Sequence, residues 1–120
     1  MGFFSRKRTV NYLPNATDTM PVAGVSYRQA AIRGRGIGPF RLVADPGNEY
    51  DKNAVAVYQD NRQVGFVPAD DAKLWSSLVK RLSKEGTDVW VHGDVRQDGH
   101  NRWILLNVPP DTQLRAWLKA

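Results

Sequence analysis

Asn48, Tyr50, Asp51 and Lys52 lie close together in the stretch Ala44-Asp45-Pro46-Gly47-Asn48-Glu49-Tyr50-Asp51-Lys52-Asn53-Ala54-Val55-Ala56-Val57. Asp, Pro, Gly and Asn in such density are turn formers, so this is a loop between two strand-like runs. An aromatic ring beside an amide, a carboxylate and an ammonium in a loop is a common way to hold a base or a sugar, by stacking and polar contact. Asn48 and Asp51 also have a purely structural use, since short polar side chains in turns bond their own backbone. Other candidate chemistry is thinner. Gly34, Gly36 and Gly38 form a glycine-rich stretch with Arg33 and Arg35. It is neither a P-loop nor a dinucleotide fingerprint, because Pro39-Phe40 opens a strand where a phosphate-binding helix would have to begin. It reads as a flexible basic loop able to touch phosphate. His92 and His100 are the two histidines, there is no cysteine, and no ligand set for a metal forms around them. Asp70 and Asp71 read as helix-start residues, not as a catalytic pair. No nucleophilic triad can be assembled, so no enzymatic activity, metal or cofactor is expected.

The elements that must position these residues are short strands. Residues 39–45 alternate Phe40, Leu42 and Ala44 with Arg41 and Val43, a half-buried strand. Ala54 to Tyr58 is apolar on both faces and reads as a central strand, returning through Asp60-Asn61 into Gln63 to Val67. Val89, Val91 and Val95 share one face of a second hairpin, which turns at Asp98-Gly99 and returns through Trp103 to Leu106. Val22 to Tyr27 is a further strand candidate. One strong helix lies between the hairpins: Pro68 and two aspartates open it, Leu74, Trp75, Leu78 and Leu82 recur at helical spacing, and Gly86 ends it. Its polar side carries Lys73, Lys80 and Lys84, either a solvated face or a phosphate-contacting stripe. After Pro109-Pro110, residues 111–119 predict a short terminal helix docked through Leu114, Trp117 and Leu118. Residues 1–20, with the basic run Arg6-Lys7-Arg8 and then Asn, Pro, Thr and Asp, read as a flexible basic tail, either solvated or an arm for nucleic acid. The expected fold is mainly β with helix: a small OB-like or SH3-like barrel of five to six strands. The expected organisation is a tail at 1–20, a barrel at 21–108 and a helical extension at 109–120.

Three ordered blocks closely resemble the HIRAN domain. They are Val22-Ala23-Gly24-Val25-Ser26-Tyr27, then Asp45 to Val57 with the core Asn48-Glu49-Tyr50-Asp51-Lys52-Asn53-Ala54-Val55, then Val64-Gly65-Phe66-Val67-Pro68. The resemblance covers residues 20 to 108. It implies an OB-like module that captures the 3′ end of single-stranded DNA, in repair or replication-fork processing, with chemistry supplied by a helicase or nuclease partner. It further implies that Tyr27 and Tyr50 offer ring faces to the terminal bases, worth about 1–3 kcal/mol per stacked base. Asp51 would accept a hydrogen bond from the free 3′-hydroxyl and repel a phosphorylated end. Asn48 would orient the loop or touch the terminal nucleotide, and Lys52 and Arg28 would meet phosphates. This chain departs from the DNA-end binders of eukaryotes at several points: Ser26 replaces an Arg, Arg28 a Tyr, Gly47 an Asn, Phe66 a His that a phenyl ring can replace in stacking, and Ala69 a Lys. The lost cations imply weaker DNA affinity than those relatives have.

Composition sets the outer bounds. A chain of 120 residues, 42% hydrophobic and 24% charged, suits one soluble domain and excludes a collagen-like or wholly disordered polymer. No apolar run approaches the ~20 residues a bilayer span requires. The N-terminus resembles neither a secretory signal nor a myristoylation site, so a cytoplasmic location is expected. Seventeen Lys and Arg against twelve Asp and Glu leave a formal charge of +5, which favours polyanionic partners. Two alternatives stay open: a barrel that binds nucleic acid without recognising ends, and an assembly domain that dimerises through an apolar patch at Trp117.

Overall fold

The computed structural model describes residues 7–120. Seven strands and two α-helices follow one another as β1 (Thr9–Tyr12), β2 (Asp18–Pro21), β3 (Gly36–Ala44), β4 (Val55–Gln59), β5 (Arg62–Phe66), α1 (Ala69–Lys84), β6 (Thr87–Asp98), β7 (Asn101–Val108) and α2 (Asp111–Lys119). Two short 3-10 turns, Val25–Tyr27 and Gln29–Ala31, link β2 to β3. The sheet runs β2-β7-β6-β3-β4-β5, antiparallel at every step, with β1 added in parallel to β6. It curls into a half-barrel with an OB-like fold.

Alternation explains the curl. Along β6, Val89, Val91 and Val95 point inward with Gly93 between them, and Phe40 and Leu42 of β3 meet them in register. A Cβ at Gly93 would crowd the Phe40 ring, at 2.7 Å, and Leu106, at 2.9 Å, so glycine here makes room for the largest aromatic of the sheet core. The β4–β5 hairpin turns through Asp60, whose φ of 55° is a conformation Asp tolerates. The β6–β7 hairpin turns through Gly99 at φ 61°. α1 lays Ala72, Trp75, Leu78 and Val79 onto the sheet, and Gly86, at φ 80°, ends it with its N–H on the Ser83 carbonyl. α2 buries Leu114 completely, while Arg81 of α1 donates to the carbonyls of Trp117, Leu118 and Ala120 at its C-terminus. Trp117 packs half-buried against the core.

Three expectations change. Residues 9–12 and 18–21 are strands, not tail: β1 pairs Thr9 to Tyr12 with Thr87 to Trp90, and β2 pairs Asp18 to Pro21 with Val108 to Leu105. Both are edge strands held by backbone bonds, with Met20 their one buried side chain, so no hydrophobic period announced them. The sheet therefore has seven strands where five to six were expected. The Arg6 end of the basic run and the residues before it lie outside the described residues. Residues 22–27 do not form a strand beyond a single bridge at Ala23, because Gly24, at φ 77°, turns the chain into a 3-10 turn. Gly36 and Gly38, expected in a flexible loop, pair with Val95 and Gly93 as the start of β3.

Candidate nucleic acid interface

The loop after β3 is wired by its own side chains. Asn48 accepts the backbone N–H of Tyr50 at 2.9 Å and of Asp51 at 3.1 Å on its Oδ1 and donates from Nδ2 to Asp45 Oδ2 at 3.2 Å. Asp51 accepts the Asn53 N–H on Oδ1 at 2.8 Å, and its carbonyl receives the Ala54 N–H at 3.0 Å. Asp45 N–H and the Ala54 carbonyl close the base of the loop at 2.8 Å. With both ends of its amide engaged, Asn48 is the loop's organiser, and Tyr50 is left pointing outward, 90% exposed. A tyrosine ring so exposed contributes nothing to the core. The Asp51 Oδ2 makes no hydrogen bond among the described residues.

Asn48, Tyr50, Asp51 and Phe66 come together on the walls of one open cleft of ≈ 260 Å³. Its remaining surface is apolar and includes Ala23 as well as Ala69 and Ala72 from the first turns of α1. Ala69, where the resemblance expects a lysine, thus faces the cleft, so the missing cation is missing from the cleft itself. Asp71, one position before Ala72, has its carboxyl raised above the usual carboxylate range, first by burial and then by the like charges of Asp111 and Asp70.

Tyr27, Arg28 and Lys52 do not line this cleft. Lys52 sits at the exposed tip of the loop. Tyr27, 89% exposed, closes the first 3-10 turn, and Arg28 follows it into solvent. Their segment is brought beside the cleft by the reciprocal bridge between Ala23 and Phe66, with N–H to carbonyl distances of 2.8 and 2.9 Å. Gly65 makes that bridge possible, since a Cβ there would overlap the Ala23 carbonyl oxygen and the Val22 side chain.

Two glutamines absent from the sequence-based site complete the scaffold. Gln29 donates from Nε2 to the carbonyls of Val25 and Arg102, both at 2.9 Å, and accepts the Arg102 N–H on Oε1 at 2.9 Å. Arg102 in turn donates to the Ile32 carbonyl at 2.6 Å. Gln59 does the same for the following residue, exchanging two bonds of 2.7 Å with the backbone of Arg33. Both side-chain amides imitate a strand's peptide group, a role with no local sequence signal. Arg33 and Arg35 of the glycine-rich stretch are engaged with the Ala30 carbonyl and with Gln97. His92 is exposed and stacks on Tyr12 with ring centroids 4.5 Å apart.

The HIRAN domain family model matches residues 19–96. The chain belongs to the HIRAN domain family. Among solved structures, the HIRAN domain of human HLTF shares this fold with a TM-score of 0.52 and 22% sequence identity, covering 84% of each chain. Comparison with curated proteins gives no match. The matched span runs from within β2 to the outer half of β6, so it contains this HIRAN domain's cleft, the Tyr50 loop and the Tyr27 segment. β7, whose backbone holds Gln29, and α2 lie beyond it. No helix among the described residues is long and apolar enough to cross a membrane.

Proposed function

We propose that this HIRAN domain is a non-catalytic module that seats the 3′-hydroxyl end of single-stranded DNA in the cleft between the Tyr50 loop and the start of α1. Family membership supports nucleic acid as the ligand class. The observation that carries the finer reading is an exposed ring next to a carboxylate oxygen with no hydrogen-bond partner among the described residues, on the walls of one small cleft. The Tyr50 face stacks on a terminal base, with Phe66 on the same cleft wall as a second apolar surface. Asp51 Oδ2 accepts from the 3′-hydroxyl, and its charge excludes a terminal phosphate. Asn48 acts through the loop, holding Tyr50 and Asp51 in place. Tyr27, Arg28 and Lys52 stand outside the cleft wall, and their part is to meet the nucleotides and phosphates that precede the end. Chemistry on the bound DNA, in repair or at a replication fork, falls to a helicase or nuclease partner.

Fluorescence anisotropy with oligonucleotides ending in a 3′-hydroxyl or a 3′-phosphate tests this directly. The wild-type protein binds the hydroxyl end more tightly, and Asp51→Ala removes the difference while leaving the fold intact. Equal affinity of the wild-type protein for the two ends rejects end recognition and leaves a barrel that binds single strands by charge.

A further inference from the structure

On the other side of the Tyr50 loop, α1 and the facing ends of β3 and β6 enclose a second cleft of ≈ 640 Å³, larger than the one at Tyr50. Its charged wall consists of Arg8, Arg41, Lys80, Lys84 and Asp88. Asp88, the one acid there, is taken up by Arg8 through an ion pair of 2.6 Å, and Arg8 is fixed further by the Ser83 hydroxyl at 3.0 Å. Lys80 and Lys84 have no anionic partner among the described residues, and neither has Arg41, whose guanidinium lies over the Tyr58 ring at 5.3 Å from its centroid. Lys80 and Lys84 are one helical turn apart, where like charges repel, and a bound anion would relieve that repulsion. The floor between the cations is apolar, with Val43 and Val79. Lys73, on the same helix and of the same charge, is exposed and takes no part in the cleft.

The loop itself joins the two clefts. Pro46 lines the basic one, while Asn48, Tyr50 and Asp51 line the other. We propose that the groove of Arg41, Lys80 and Lys84 is a second binding site, taking the phosphodiester backbone of single-stranded nucleic acid as it leaves the Tyr50 cleft. The proposal rests on the reading that this domain binds single strands, and it does not require that an end be recognised. An unbroken circle reaches the groove without occupying an end site.

The test is a salt titration of binding to circular single-stranded DNA, to a long linear strand and to a tetranucleotide with a 3′-hydroxyl. The wild-type protein is compared with Lys80→Glu/Lys84→Glu, with the milder Lys80→Gln/Lys84→Gln, and with Lys73→Glu as an off-groove charge control. The groove variants bind the circle and the long strand about tenfold or more weakly at low salt, and the salt slope falls by about 0.7 for each phosphate no longer neutralised. Their affinity for the tetranucleotide, and the preference for a hydroxyl over a phosphate end, stay near wild type. Lys73→Glu changes binding far less than either groove pair. Failure of the wild-type protein to bind the circle, or an effect of Lys73→Glu as large as that of the groove pairs, overturns the groove. A wild-type protein that binds the circle but shows no preference for a hydroxyl end would instead count against the Tyr50 cleft and leave the groove standing. Loss of that preference in the groove variants would overturn the groove as a separate site.

Discussion

In the Tyr50 loop every side-chain hydrogen bond runs to a residue two or three positions away, whereas the Tyr27 segment is held by bonds that span 70 and 73 positions. Both segments present an almost fully exposed tyrosine near the same cleft. The first can adopt its shape wherever its ends are brought together by the Asp45–Ala54 pairing. The second has local 3-10 bonds as well, such as Tyr27 N–H to the Gly24 carbonyl, but no side-chain wiring that closes it on itself. Its turns are held in place by the Ala23–Phe66 bridge to β5 and by the β7 backbone that Gln29 copies. A locally wired loop keeps its geometry through fluctuations of the sheet, while a segment tied to two distant strands depends on whether those strands are in register.

The largest break in that comparison is expected from Gly65→Ala. The added methyl overlaps backbone that cannot move without opening the Ala23–Phe66 bridge. We expect a loss of about 1–3 kcal/mol, the usual cost of overpacking, read from urea unfolding. Binding through Tyr27 should fall while the Tyr50 loop stays formed. An unchanged unfolding midpoint would show that the bridge is dispensable.

A paired substitution separates the two regions more finely. Gln29→Ala strands the Arg102 N–H and carbonyl in a half-buried setting, while the Val25 carbonyl keeps the Arg28 N–H, an expected loss of about 1–3 kcal/mol. Asn48→Ala frees two N–H groups that water can reach in an open loop, an expected loss of about 1 kcal/mol or less. Hydrogen exchange should accelerate at residues 23–33 and along β7 for the first variant, and at residues 46–54 alone for the second. Exchange spreading into β7 in Asn48→Ala would mean the loop is less autonomous than its wiring indicates.

The smallest effect concerns the first turn of α1, which floors the cleft. The Asp71 pKa is raised in the fold, so the folded state holds a proton that the unfolded chain has already released. Ionising Asp71 therefore costs stability, a cost absent below the unfolded pKa and complete above the folded one. Asp71→Asn should raise the melting temperature at pH 7, with the gain fading as pH falls into the ordinary carboxylate range. A gain that is the same at every pH would remove ionisation as its cause.

Much of this molecule was legible from residue order. The β4–β5 and β6–β7 hairpins, α1 with its Pro68 start and Gly86 end, and the docked α2 all follow from turn chemistry and period. The Tyr50 loop was legible for the same reason that it is autonomous: its bonds are between near neighbours. β1 and β2 were not legible, because edge strands held through their backbones carry almost no buried side chains. Nor was the bend at 24–27, where the local run of apolar residues favours a strand and Gly24, at φ 77°, turns the chain instead.

What the sequence by itself determined is therefore everything with a short-range cause: alternation, helical period, turns, the Asn48-centred loop and the excess of cations. Tertiary structure decided which of those features meet. It put Phe66 and Ala69 against the Tyr50 loop, gave Gln29 and Gln59 backbones to imitate, and placed Lys80 and Lys84, but not Lys73, in a groove with Arg41. Such meetings depend on strand order and on how the sheet curls around its core. Those are properties of the whole chain's packing, and no window of neighbouring residues contains them.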